Sequence, residues 1–187
     1  IINNQEYIMN LKGSQTEKNL KKTFSGESKA NTKYTLYAEK ARKEGYKYIS
    51  DIFEETAHNE LAHAREAYGE YLNQIMSTEE NLMNSFMGES TEATKIYKEY
   101  EETARMEGFD EIADFYKELA EVEADHDIRF RKLYNGLLTG TLYKGDKNTL
   151  WQCTNCGYIY EGTSAPMECP LCHFPQGWFM PYCSPSK

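Results

Sequence analysis

The sequence predicts an all-α four-helix bundle followed by a small C-terminal β domain, and three observations support this prediction. Residues 14–138 contain no proline and are rich in Glu, Lys, Ala and Tyr, whereas all five prolines fall between residues 166 and 185. Residues of the first helical half recur in the second half at a nearly constant distance. All five cysteines follow residue 150. A proline-free segment of this composition is typical of long helices, because proline breaks a helix interior.

Start and stop signals divide the helical region into four helices, A to D. Ser14 and Ser77 each begin an S-x-x-E capping-box pattern, which predicts the first residues of helices A and C. Gly45 and Gly108 follow the motifs ARKE and ARME, where a glycine with positive φ would end each helix. Helices B and D are expected from about residues 47 to 73 and 110 to 135.

The two halves of this region repeat each other. The motif FSGES at residues 24–28 returns as FMGES at residues 86–90, so that Glu89 follows Glu27 by 62 positions, while the two glycine stop signals are 63 positions apart. The change in offset indicates a small register slip. We interpret the region as a duplicated helical hairpin and predict that the two hairpins pack face to face around a pseudo-twofold axis.

Each predicted helix places one glutamate within its apolar stripe, and helices B and D add a histidine three residues later. One such glutamate most often faces water, and a lone histidine on an apolar face is more often a core residue than a ligand. Four carboxylates in one core, however, would repel each other and lose hydration unless cations neutralise them. A Glu from each of two helices plus Glu-x-x-His from each of the other two is the di-iron carboxylate pattern, and these ligands suit iron or manganese. The predicted ligands are Glu27, Glu60, His63, Glu89, Glu123 and His126.

Three further residues lie on the same stripes. Glu92 is one turn from Glu89, while the first copy has Ala30 at the corresponding position. From spacing alone, Glu92 is as well explained by a solvated acid as by a metal ligand. Tyr34 and Tyr97 lie about two turns from the acids of helices A and C, where they can either hydrogen-bond ligand carboxylates or pack in the core.

The C-terminal region, residues 150–187, contains two CxxC pairs after a polar linker at residues 139–149. Such pairs predict a tetrahedral site with four sulfur ligands, and spacing alone favours zinc and iron about equally. A redox-active bundle in the same chain makes iron the more economical interpretation. The four predicted ligands are Cys153, Cys156, Cys169 and Cys172. Cys183 lies outside the pairs and is expected to be a free thiol without an assigned role.

Composition excludes several classes of partner. The net charge of −9 disfavours binding to nucleic acid and to anionic membranes. The sequence contains no run of 18 apolar residues, so no transmembrane helix is expected. Residues 1–10 lack the pattern of a signal peptide. A cytoplasmic location is therefore expected, and paired cysteines there indicate metal binding rather than disulfides.

In combination and order, the motifs GSQTEKNL, FSGES, FMGES-x-Glu92 and CTNCGYIYEG resemble those of the rubrerythrin family over roughly residues 11–180. The resemblance implies a ferritin-like di-iron bundle at residues 1–138 and a rubredoxin-like Fe(Cys)4 domain at residues 150–187. One departure is His173, which stands where rubredoxins typically have glycine after the second CxxC. A residue with a Cβ atom is less favourable there if the turn is left-handed.

The resemblance also implies roles for the ligands. Glu60 and Glu123 would bridge the two irons, with Glu27 terminal on one iron. Glu89 and His126 would bind the other iron. His63 would exchange with Glu92 on the first iron between the reduced and oxidised states.

The predicted function is a non-haem iron peroxidase that reduces hydrogen peroxide to water in oxidative-stress defence. The resemblance implies a homodimer re-reduced through its Fe(Cys)4 centre by rubredoxin or an NAD(P)H-dependent flavoprotein reductase. Two alternatives remain at this point. One is a ferroxidase or iron-handling protein, and the other is a structural bundle with a zinc-ribbon binding module.

Overall fold

The computed structural model describes residues 11–183. The chain divides into two compact units between Met76 and Ser77. The N-terminal residues 1–10, which the signal-peptide prediction concerns, lie outside the described residues. Among the residues that are described, no helix combines the length and the apolar character needed to cross a membrane.

The first unit is a helical hairpin. Helix α1 spans Gln15–Lys43, helix α2 spans Lys47–Arg65, and a π-helix, Glu66–Tyr71, continues α2. The two helices approach closely because the residues between them are small: Ala38, Ala41, Ala57 and Ala64 are all buried. The side-chain amide of Asn31 in α1 donates to the backbone carbonyl of Ala57 in α2 at 2.7 Å, which ties the helices together at mid-length.

The second unit begins with a second hairpin. Helix α3 spans Thr78–Thr91, a π-helix spans Glu92–Ile96, and helix α4 spans Tyr97–Met106. Together these three segments form the predicted helix C, whose π-helical interruption the sequence pattern did not predict. The return helix α5 spans Asp110–Leu138, slightly longer than expected.

The predicted helix ends are confirmed. Gly45 and Gly108 have φ values of +86° and +84°, which only glycine adopts without strain. Tyr46 N–H donates to Ala41 O at 2.9 Å and Gly45 N–H donates to Arg42 O at 3.1 Å, which is the pair of bonds of a Schellman motif. The same pair of bonds ends α4, so both hairpins turn by the same chemistry.

The two helix starts differ slightly. Ser77 and Glu80 form a complete capping box, in which each side chain bonds the other residue's backbone N–H. At α1, Ser14 Oγ accepts from Glu17 N–H at 3.0 Å, but the Glu17 carboxylate accepts from Gly13 N–H rather than from Ser14. The predicted N-cap is therefore present at both helices, and the full box at only one.

The second unit also carries a small antiparallel sheet. Strands β1 (Leu150–Cys153), β2 (Ile159–Glu161) and β3 (Phe179–Pro181) lie in the order β2-β1-β3. Trp151 and Phe179 pack with Cys153, Ala165 and Cys169 in a buried core. This cluster gives a short module a hydrophobic centre beside its cysteines.

The segment at residues 139–149 is hydrogen-bonded both to α5 before it and to the cysteine module after it. Leu142 N–H donates to Gly136 O at the end of α5, and Gly145 N–H donates to Thr163 O in the cysteine module at 2.9 Å. The predicted fold class is confirmed, since the described residues are mostly helical, with the four predicted helices A to D, of which C consists of α3, a π-helix and α4, and a small C-terminal antiparallel sheet region. The predicted domain boundaries at residues 138 and 150 stay a prediction.

Candidate metal centres

The first hairpin brings together Glu27 from α1 and Glu60 and His63 from α2. One ligand atom of each residue lies within 4.8 Å of the other two. His63 Nδ1 is 2.9 Å from Glu60 Oε2 and 3.6 Å from Glu27 Oε2. The spacing of three residues places Glu60 and His63 on the same face of α2, and this face is turned toward Glu27.

The second hairpin repeats this cluster with Glu89 from α3 and Glu123 and His126 from α5. His126 Nδ1 is 2.7 Å from Glu123 Oε2 and 3.9 Å from Glu89 Oε2. In both hairpins the same imidazole nitrogen faces the carboxylates. The predicted ligands of each hairpin, apart from Glu92, are therefore assembled within that hairpin.

Electrostatics in the second cluster favour a cation. Partial burial, then the hydrogen bond and charge of Glu123, raise the pKa of Glu89 above its ordinary value. His126 opposes this effect with a smaller lowering of the pKa. Two carboxylates that share one site resist joint ionisation, and a bound metal ion would relieve this repulsion.

Glu92 stands apart from the second cluster. It begins the π-helix, and its carboxylate accepts a hydrogen bond from the Tyr97 hydroxyl at 3.1 Å. Desolvation, then this bond to Glu92, raise the pKa of Tyr97, which keeps the phenol protonated as a donor. Tyr97 therefore hydrogen-bonds a carboxylate, that of Glu92, while its role beside a metal ligand stays a prediction.

Tyr34 has no comparable acid. The first hairpin has Ala30 where the second has Glu92, and none of the hydrogen bonds described for residues 11–183 involves the Tyr34 hydroxyl. Its ring instead stacks on Phe53 at a centroid distance of 6.0 Å. Of the two roles open to Tyr34, aromatic packing is the one that the structure shows.

The π-helix accounts for the change in the repeat offset. A π-helical segment has one residue more than an α-helix of the same span. Glu27 and Glu89 are 62 positions apart, whereas Tyr34 and Tyr97 beyond the π-helix are 63 apart. The altered offset was the signal in the sequence that could have predicted this segment, and it lies where Glu92 is found.

The four cysteines of the C-terminal module form a third cluster, with their sulfur atoms within 4.8 Å of one another. The Cys153–Cys172 and Cys156–Cys169 sulfur pairs are each 3.7 Å apart, too far for a disulfide. Four sulfurs bound about 2.3 Å from a tetrahedral metal lie about 3.8 Å from each other. The cluster therefore has the dimensions of a tetrahedral metal–thiolate site.

Hydrogen bonds to sulfur prepare the module for thiolates. The Asn155 side chain and then the Phe174 N–H donate to Cys172, and its pKa is lowered to about 6 although desolvation opposes this. A bond from Tyr158 N–H lowers the pKa of Cys156, but desolvation and the neighbouring thiols outweigh it and raise the pKa to about 12. Four thiols held this closely cannot all ionise without a cation. Asn155 is a functional candidate that the motif analysis did not single out.

His173 has a left-handed backbone, with φ of +62°. Gly157 occupies the same position after the first CxxC, with φ of +78°. His173 N–H donates to Cys169 O at 2.9 Å, while its Nδ1 lies 2.8 Å from Glu168 Oε1. The strain expected of a residue with a Cβ atom is thus present, and the contact with Glu168 holds the side chain outside the cysteine cluster.

These donor sets fit two kinds of iron centre. Carboxylate and imidazole ligands without sulfur fit iron, and four thiolates in a tetrahedron fit an iron–sulfur centre of one iron. The Glu/His clusters and the cysteine cluster together fit a di-iron centre plus one Fe(Cys)4 centre. Such a chain is a non-haem iron protein with a helical carboxylate region and a rubredoxin-like module.

Comparison with known families agrees with this class. The family model described as "Rubrerythrin" matches residues 18–77 and 80–150, and the model "Rubrerythrin, rubredoxin-like domain" matches residues 151–180. The chain therefore belongs to the rubrerythrin family. It is 39% identical to the rubrerythrin of Porphyromonas gingivalis over 188 residues, with 94% of each chain covered. It is also 39% identical to the rubrerythrin of Clostridium perfringens over 189 residues, covering 92% of this chain and 96% of the relative.

Among solved structures, the chain is similar to nigerythrin in its mixed-valence state. The identity is 29%, 90% of this chain and 87% of nigerythrin are covered, and the TM-score is 0.35.

Proposed function

We propose that this protein is a peroxidase that reduces hydrogen peroxide to water with two electrons and two protons. The observation that carries the proposal is the presence, in one chain, of a Glu/Glu/His cluster on each of two duplicated hairpins and a four-thiolate cluster. The first two clusters provide ligands for a pair of iron ions, and the third provides a one-electron centre. Storage or oxidation of ferrous iron alone does not need this third cluster.

The proposed ligand roles divide between the hairpins. Glu27, Glu60 and His63 would hold one iron, while Glu89, Glu123 and His126 would hold the other. Glu60 and Glu123 are proposed as bridging ligands. When bound, the di-iron centre supplies the two electrons for cleavage of the peroxide O–O bond.

Glu92 and Tyr97 are proposed to make the site asymmetric. Glu92 is the only one of the acidic site residues that lacks a counterpart in the other hairpin. We propose that it exchanges with His63 as a ligand when the oxidation state changes. Tyr97 holds the free carboxylate of Glu92 through the 3.1 Å hydrogen bond and so limits its rotation.

The cysteine module is proposed to return electrons one at a time from a separate donor. This donor is either a rubredoxin or an NAD(P)H-dependent flavoprotein reductase. A homodimer in the cytoplasm, with a role in oxidative-stress defence, completes the proposal. The predicted domain at residues 1–138 would then carry out the step in which peroxide oxidises the iron pair. The predicted domain at residues 150–187 would carry out the step that returns electrons to it.

The test is an anaerobic titration of the fully reduced, iron-loaded protein with hydrogen peroxide, followed by the red absorption of the ferric Fe(Cys)4 centre. Rapid and stoichiometric return of the colour supports the peroxidase. Slow reaction with peroxide, but fast oxidation of added ferrous iron by oxygen, would favour a ferroxidase instead. A protein that stays colourless after full iron loading would have a zinc ribbon, and the electron-transfer step would be excluded.

A further inference from the structure

An open cavity of about 930 Å³ lies in the second unit. One wall is the C-terminal part of α5, from Ile128 onward, with its C-cap Thr139, and the other is the segment at residues 141–149. Trp151 of β1 and Pro181 of β3 complete the lining. No residue of the proposed di-iron or Fe(Cys)4 ligand sets lines this cavity.

The hydrogen bonds and packing around the cavity hold its walls in place. A Cβ atom at Gly136 would lie 3.3 Å from Leu142 Cα, so the glycine allows the segment to pass close to α5. Thr141 N–H and Leu142 N–H both donate to Gly136 O, at 2.8 and 3.1 Å. At the other end, Lys144 pairs with Ser164 in an isolated β-bridge. Pockets whose walls are formed before binding are typical of small-molecule sites.

The lining is basic, although the chain as a whole has a net charge of −9. Arg129, Arg131 and Lys132 of α5 and Lys144 of the facing segment line it, and Asp146 is the one acid among the lining residues. Unpaired cations gathered on two walls of one cavity are the arrangement that binds phosphate groups.

Within the part of the chain that the structure describes, most of these cations lack an acidic partner. Arg131 pairs with Asp127 and lies over the Phe86 ring. In contrast, none of the ion pairs described for residues 11–183 involves Arg129, Lys132 or Lys144. These three side chains are therefore available to an anion from solution.

The remaining lining indicates more than a simple anion. Ile128, Leu133 and Leu142 add apolar surface to the lining. The volume falls within the range of about 300–1,000 Å³ of small-ligand sites, whereas a protein partner covers about 800 Å² of surface. A ligand that fits both properties combines phosphate groups with a flat apolar ring system.

We propose that the cavity between α5 and residues 141–149 binds a nucleotide, with its phosphates at Arg129, Lys132 and Lys144 and its base against Ile128 and Leu142. This site is independent of the peroxidase activity proposed above. Its ligand is defined by chemistry as a nucleoside diphosphate or a dinucleotide.

The test is calorimetric titration of the iron-loaded, full-length protein with ADP, pyrophosphate and adenosine at low and high salt. We expect ADP to bind in the micromolar range, at least about tenfold more tightly than either of its parts, and to weaken as salt rises. Lys144→Glu and Arg129→Glu should each weaken ADP binding by about tenfold or more. Lys147→Glu, in the same segment but outside the lining, and Lys117→Glu, earlier on α5, are the matched controls.

Four outcomes would overturn the proposal. The first is that ADP fails to bind at millimolar concentration, and the second is that pyrophosphate and ADP bind with equal affinity. The third is that Lys147→Glu and Lys144→Glu lose affinity for ADP equally, and the fourth is that a polyglutamate peptide binds in place of ADP. The last outcome would assign the surface to an acidic protein partner. A thermal-shift series with ADP on each variant shows at the same time that the variant is folded. Peroxide titration of the same samples separates failure of this proposal from failure of the peroxidase, since the two readouts are independent.

Discussion

The two helical hairpins have the same Glu/Glu/His cluster but different surroundings. In the second hairpin a π-helix follows Glu89 and contains Glu92, whereas α1 continues without interruption past Ala30. Near the loops, Ser50 of the first hairpin and its counterpart Ala113 are both fully buried, and only Ser50 carries a hydroxyl. The comparison shows that the two hairpins keep the same Glu/Glu/His residues while neighbouring positions differ, so the two clusters have chemically unequal surroundings.

The largest effect is expected from loss of the histidine in either Glu/Glu/His cluster. His63→Ala and His126→Ala should each lower peroxide reduction by about 100-fold or more, because the carboxylates alone bind iron less firmly. Iron content and stopped-flow rates measure this. His58→Ala, an exposed histidine on α2 outside the cluster, is the control. Equal activity of all three variants would show that the clusters are not the metal site.

Glu92→Ala should have a smaller effect, about tenfold on the rate with full iron content, because it removes the residue that distinguishes the hairpins. The matched variant Glu92→Gln keeps the size of the side chain but loses its charge. In both variants the pKa of Tyr97 should fall, since the hydrogen bond to Glu92 contributes to its rise. NMR of labelled tyrosine measures the pKa, with Tyr97→Phe for assignment. Wild-type rates in both Glu92 variants would leave this residue without a role in the reaction.

The buried Ser50 and its counterpart Ala113 allow the effect of one hydroxyl on the free energy of unfolding to be compared between the hairpins. The buried Oγ of Ser50 has no hydrogen-bond partner among the described residues. Ser50→Ala should therefore raise the free energy of unfolding by about 1 kcal/mol, and the reciprocal Ala113→Ser should lower it by a similar amount. Urea unfolding of the iron-free protein, followed by circular dichroism, measures both. A destabilising Ser50→Ala would mean that the hydroxyl has a partner in solution.

The smallest effect concerns Glu89 in the metal-free protein. A raised pKa means that folding disfavours the ionised form, so this residue's contribution is favourable below its unfolded pKa and is lost as pH rises through the folded pKa. Glu89→Gln should then stabilise the metal-free protein by roughly 0.5 kcal/mol at pH 7 and by little at pH 4. Unfolding midpoints at the two pH values test this. The same variant should bind iron more weakly, because a carboxylate ligand is missing.

Much of the site could be predicted from local patterns. Helix starts at capping serines and helix ends at glycines with positive φ depend on contacts within a few residues. The same is true of the Glu-x-x-His spacing, which places both side chains on one helix face. These features can therefore be predicted from the sequence. The paired CxxC motifs likewise predicted the sulfur cluster that the structure contains. The π-helices were not predicted, because a one-residue insertion in a helix leaves composition and caps unchanged.

The sequence by itself determined the duplication, the Glu-x-x-His and CxxC patterns and the all-α class, because these depend on residue type and periodicity. Only the tertiary structure decided which oxygen or nitrogen atoms converge, that Tyr97 bonds Glu92 while Tyr34 packs on Phe53, and that the buried Ser50 hydroxyl has no partner among residues 11–183. It also decided that basic residues of α5 and of the segment at 141–149 face one cavity. Such contacts form between side chains on different helices and turns. A local sequence pattern does not predict which of these side chains will be in contact.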